Sequence, residues 1–175
     1  KAFTLTVADP ASFRNVVVRS AHGTDETVAT NRYPAQTPVR AVLTNTPVRD
    51  ATHQFLCTGW TGTGSAPPAG ASCDTGPFTL AADSTVTWQW RTNVWLAAAA
   101  TPGGVVSGAT SGWQRLGAPV ALTAAPDASH TFLGWGGDTN GCTIAGRTVT
   151  ATMTQPRALI ARFWLNEALS ATGWA

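Results

Sequence analysis

Apolar and polar positions along this chain alternate with a period of two, the signature of half-buried β-strands. Val86, Trp88 and Trp90 share one face, with Thr85, Thr87, Gln89 and Arg91 on the other. Leu159, Ala161, Phe163 and Leu165 alternate in the same way with Ala158, Ile160, Arg162 and Trp164. Phe3, Leu5 and Val7 alternate with Thr4 and Thr6, and Val16 to Val18 form a short β-branched run. Thr and Val suit a pleated surface. No stretch shows helical periodicity with caps at both ends. Ala97 to Ala100 follow Val94-Trp95-Leu96 and precede Thr101-Pro102, so they fit a strand at least as well as a helix. A short helical turn is expected over 166–171. Gly and Pro mark loops over 62–76, 102–112 and 134–146. The expected fold class is therefore mainly β.

The same order of elements occurs twice. The first pass runs from Pro38-Val39-Arg40-Ala41-Val42-Leu43-Thr44 to Phe55-Leu56-Cys57-Thr58-Gly59-Trp60. A Gly-rich loop follows, then Phe78-Thr79-Leu80 and Ser84 to Trp90. The second pass runs from Pro119-Val120-Ala121-Leu122-Thr123 to Phe132-Leu133-Gly134-Trp135. A second Gly-rich loop leads to Val149-Thr150-Ala151-Thr152-Met153 and Arg157 to Trp164. This predicts two tandem domains. Residues 1–94 form a first repeat with an N-terminal strand extension, 95–165 a second, and 166–175 a tail or the start of a following segment. Repeats of roughly 70 to 90 residues bury small cores and gain from packing or crosslinks.

Composition narrows the function classes. The chain has 175 residues, of which 43% are hydrophobic and only 11% charged, and it contains eight Trp. High hydrophobicity with low charge excludes a disordered chain. The net charge is +2, and the arginines are scattered singly. Nucleic-acid binding needs a basic stripe, so it is not expected. Lys1 is the only lysine, which removes Schiff-base and phosphate-loop chemistry from the body of the chain. No apolar run reaches the length of a membrane helix, so no membrane insertion is expected. No signal peptide is expected within these residues. Lys1 is not a Met start, so a processed chain or a piece of a longer one is expected.

Catalytic and metal-binding patterns are missing from the sequence. His22, His53 and His130 stand alone, without the paired spacing of a metal site. Asp74 and Asp138 occupy corresponding loops and read as turn formers rather than as a carboxylate pair. Gly64-Ser65-Ala66-Pro67 is not a nucleophile elbow, and Asp138-Thr139-Asn140-Gly141 lacks the further acids of a calcium loop. No cofactor, no metal and no enzymatic activity are expected. Cys57 and Cys73 flank the first Gly-rich loop and are either a disulfide or two reduced buried thiols. Cys142 is then an inert free thiol or a handle for an intermolecular bond. Trp60, Trp135, Trp90 and Phe163 are expected to anchor cores. Trp95, Trp113, Trp164 and Trp174 lack a counterpart in the other repeat and are candidates for partner or glycan contacts.

Phe132-Leu133-Gly134-Trp135-Gly136-Gly137-Asp138, Thr148 to Met153 and Leu159-Ile160-Ala161-Arg162-Phe163 together resemble the divergent internalin-B-type repeat of bacterial surface proteins. Cys57-Thr58-Gly59-Trp60-Thr61-Gly62-Thr63-Gly64 resembles a longer-looped variant. The resemblance spans roughly residues 20 to 165. It implies small β-grasp-like domains, a secreted or cell-surface location, and spacer or adhesion roles without catalytic residues. Where relatives often carry the first loop cysteine, this chain has Asp138-Thr139-Asn140, so Cys142 lacks a local partner. Partners expected on this reading are other domains of the same chain, copies of itself in a filament or surface layer, or a polysaccharide.

Overall fold

The computed structural model describes residues 12–23 and 29–166. The expected strand around Phe3 to Val7, the helical turn beyond Asn166, and Trp174 lie outside these residues. The chain is mainly β, with fifteen strands and no α-helix among the described residues. The described residues divide into two compact units, those within 1–50 and 54–92 and those within 51–53 and 93–175.

In the first unit, β1 (Phe13–Arg19) pairs antiparallel with β2 (Ala29–Pro34). On its other side β1 runs parallel to the start of a long strand, numbered β8 in chain order (Ser84–Ala100). Between them in sequence, β3 (Pro38–Val39) pairs with β7 (Phe78–Thr79). β4 (Val48–Arg49) and β6 (Ala69–Gly70) both pair with β5 (His53–Thr63), which also pairs with β8. The apolar strand expected over 38–44 shrinks to β3 and one bridge from Val42 to Asp74. Backbone bonds remain from Leu43 N to Cys73 O and from Thr75 N to Ala41 O, but the Arg40 side chain is drawn out to Asp74 and Thr75 Oγ1 takes the Ala41 amide, so the ladder there is partly made by side chains. The core gathers Val16, Leu43, Trp60, Phe78, Leu80, Val86 and Trp88.

The second unit takes the remainder of β8 and adds two sheets. In one, β12 (His130–Gly137) pairs with β15 (Arg157–Leu165), and β15 runs parallel to Leu96–Ala100 of β8. β10 (Gly112–Arg115) pairs with β8 on the other side. The second sheet has the order β13 (Thr143–Ala145), β14 (Thr148–Thr152), β11 (Pro119–Pro126), β9 (Gly104–Gly108), all antiparallel. The loops expected over 102–112 and 134–146 thus contain β9 and β13, with β12 running on to Gly137. Their glycines sit within or beside short edge strands instead of marking coil. β11 alternates cleanly, with Val120, Leu122 and Ala124 buried and their neighbours exposed or half-buried. Val120 and Leu122 meet Val94, Leu96, Val149, Met153 and Leu159 in one cluster. Ala124, Ala161 and Phe163 close a second.

Candidate interaction surfaces

The cysteines settle into two states. Cys57 on β5 and Cys73 form a disulfide, with Cα atoms 6.1 Å apart, and close a span of 16 residues. Cys142 is free and half-buried. Its loop is held by a charged side chain. Arg157 is 6% exposed. Its Nη1 donates to the carbonyls of Asp138 at 2.7 Å and Asn140 at 2.8 Å, and lies 3.6 Å from Cys142 Sγ. Asp138 adds a second tie, its Oδ2 accepting the Ala158 amide at 2.7 Å. The arginine clasp was not legible in the sequence, because Arg157 opens a strand like any surface arginine.

Asp74 does form the expected Asx turn, its Oδ1 accepting the Gly76 amide at 2.8 Å. It is also paired with Arg40, Nε to Oδ1 at 2.8 Å, with a second contact from Arg40 Nη2 to Oδ2. The Arg40 hydrogen bond, helped by the Gly76 amide, holds the Asp74 carboxyl down at about 2 and raises the Arg40 guanidinium. Asp127, Ser129 and His130 form a clasp at the β11–β12 turn. Asp127 Oδ1 lies 2.7 Å from His130 Nδ1 and 2.9 Å from Ser129 Oγ. The His130 contact lowers the Asp127 carboxyl. Serine and aspartate both crowd the same ring nitrogen, so this is a turn lock and not a relay of serine, histidine and aspartate. His22 stacks on Phe55 at 3.8 Å and meets the edge of Trp90. Among the described residues no group of three His, Cys, Asp or Glu side chains is placed to hold a metal ion.

The tryptophans separate into interior and surface. Trp60 is 4% exposed and lies flat on Gly70, its partner across the β5–β6 ladder. A Cβ at Gly70 would sit 2.5 Å from Trp60 Nε1, so only glycine fits beneath the indole. That Nε1 has no hydrogen-bond partner among the described residues. Phe163 is buried in the second unit, and Trp88, on the Val86 face, is buried in the first. Trp90 and Trp135 are half-buried and pack against the cores of their units, each spending its N–H on a nearby acceptor. Trp90 donates to Ser20 Oγ and Trp135 to the Arg147 carbonyl, both at 3.2 Å. Trp95 and Trp113 face each other across β8 and β10 as an edge-to-face pair 5.1 Å apart, and Trp95 is 37% exposed. Trp164 is 61% exposed, on the opposite face of β15 from Phe163. On the outward face of the second unit Ala99 and Ile160 lie side by side across β8 and β15, with Trp95 and Trp164 at opposite ends and exposed Arg162 between Ile160 and Trp164.

No helix of the described residues is long and apolar enough to cross a membrane. No curated protein and no solved structure matches the chain at a significant level. The sequence profile of the divergent InlB B-repeat domain does match, over residues 94–167. That span opens in β8 and takes in every strand from β9 to the end of β15. Over residues 94–167, the β-rich second part of this chain is therefore similar to the divergent InlB B-repeat domain.

Proposed function

We propose that this chain is a non-catalytic structural or adhesive module of a secreted or cell-surface bacterial protein, acting as a spacer or interaction domain. The observation that carries the reading is the match of residues 94–167 to the divergent InlB B-repeat domain. The Cys57–Cys73 disulfide supports an oxidising location outside the cytoplasm. A second, longer-looped copy in residues 1–94 is supported by the backbone. Gly59 before Trp60 and Gly134 before Trp135 have φ of +147° and +151°, values that favour glycine. The test is antibody labelling of intact cells, combined with capture of cells or matrix on beads coated with the chain. Surface signal together with capture is expected. Signal only after lysis would overturn the reading.

A glycan-binding role is favoured by one observation, the 61% exposure of Trp164 on the outward face of β15. A large indole left in water is a ready platform for the apolar face of a sugar. Retention on a polysaccharide array, lost in Trp164→Ala, would support it. Absence of retention on every glycan would remove it.

A further inference from the structure

The second sheet of the second unit has two edges, and they differ. Natural sheets blunt their edges with charge, proline, bulges or very short strands. β13 is three residues long. Elsewhere in the chain, β2 carries Arg32 and Pro34, and β12 is broken by a register shift between Phe132 and Gly134. β9 has none of these devices. It reads Gly104-Val105-Val106-Ser107-Gly108, with no charge and no proline, and Val105 is 63% exposed.

The direction of its backbone groups follows from the ladder. Asp127 N donates to Gly103 O and Ala109 N to Ala121 O, both across the β9–β11 register. In an antiparallel pair, hydrogen-bonded positions alternate. Val105 and Ser107 therefore bond to β11, and the N–H and C=O of Gly104, Val106 and Gly108 point away from it. Val106 still turns its side chain inward, opposite buried Ala124. The edge is thus a rigid row of outward-facing backbone groups with its side chains already sorted.

The sequence of β9 is also self-complementary. An antiparallel two-fold about Val106 places Val106 opposite its own copy, Gly104 opposite Gly108, and Val105 opposite Ser107. The outward groups then meet in hydrogen-bonding register, the glycines bring no Cβ to the seam, and no like charges face each other. We propose that β9 pairs with β9 of a second copy of this chain, joining two four-stranded sheets into one across a two-fold axis. An interface of this kind uses the same patch on both partners and closes at a dimer. This deepens the self-association reading and is independent of surface location, so the two can fail separately.

The test uses the full chain with Cys142→Ser, so that no thiol can mimic the pairing. Sedimentation velocity over a concentration series should show monomer converting to dimer. Val105→Lys with Ser107→Lys puts like charges opposite each other and should weaken the dimer by at least roughly tenfold with an unchanged circular dichroism spectrum. Ile144→Lys, on the β13 edge, should leave it intact. Hydrogen exchange supplies a readout that needs no β9 variant: the Val106 amide should exchange fast when dilute and slowly when concentrated. A monomer at every concentration would overturn the proposal. So would a dimer indifferent to the lysines, one lost in Ile144→Lys, or open-ended assemblies in place of a dimer.

Discussion

Gly59 on β5 and Gly134 on β12 adopt nearly the same left-handed backbone, φ +147° and +151°, each one residue before a tryptophan. Their surroundings differ. A Cβ at Gly134 would meet nothing within 4 Å, whereas one at Gly59 would fall onto the Gly70 backbone. Gly134→Ala should therefore cost only the conformational strain, about 1–3 kcal/mol. Gly59→Ala should cost more. Urea denaturation of the two variants checks this, and equal losses would show that crowding at Gly70 is relieved by a small shift.

Removing the disulfide is expected to loosen the first unit. A cross-link closing a loop of this size stabilises by about 3 kcal/mol through the unfolded chain. Cys57→Ser with Cys73→Ser should lower stability by that order. Intact mass should rise by two hydrogens when the wild-type chain is reduced after denaturation. An unchanged mass would mean that the thiols were never joined.

Acid should weaken the Arg40–Asp74 pair. The Asp74 carboxyl sits at about 2 in the folded chain, below its ordinary value of 3.8. A depressed carboxyl stabilises the fold above its unfolded pKa, and that contribution is lost as pH falls through the folded one. Asp127 shifts in the same direction and adds to the trend. The stability gap between wild type and Asp74→Asn should shrink as pH falls from about 5 to about 2. A gap that stays constant over this range would show that the pair does not contribute.

Two tryptophan substitutions should part company. Trp60→Ala empties a buried site over Gly70 and is expected to cost about 3–5 kcal/mol. Trp164→Ala removes an indole that is largely in water and should change stability by less than about 0.5 kcal/mol. Thermal melts decide this. A large loss at Trp164 would mean that the indole is covered in solution.

Arg157→Met tests the clasp on the loop around Cys142. Methionine fills the volume and leaves two carbonyls without a donor, at about 1–3 kcal/mol. Exchange of loop amides should speed up most near Asp138 and Asn140. Unchanged exchange would assign loop order to Asp138 alone.

Strand content was legible wherever one face is buried, because alternation then has to be strict: β11, β15 and the start of β8 were readable on that ground. The disulfide was legible as one of two options, since cysteines flanking a Gly-rich loop fit either. β9 and β13 were not readable. They are edge strands, paired on one side only, and their sequences carry the glycines that elsewhere signal coil. The clasps were hidden for a different reason. Arg157, Asp138 and His130 take their roles from residues brought close by the fold, and no local spacing encodes that.

The clasp at Arg157 gives the two units different dependences on thiol chemistry during biogenesis. The loop of the second unit can close as soon as β15 docks, with no electron acceptor required. The first unit needs an oxidant to join Cys57 to Cys73. Synthesis in a reducing cytoplasm would leave that cross-link unmade without touching the arginine clasp.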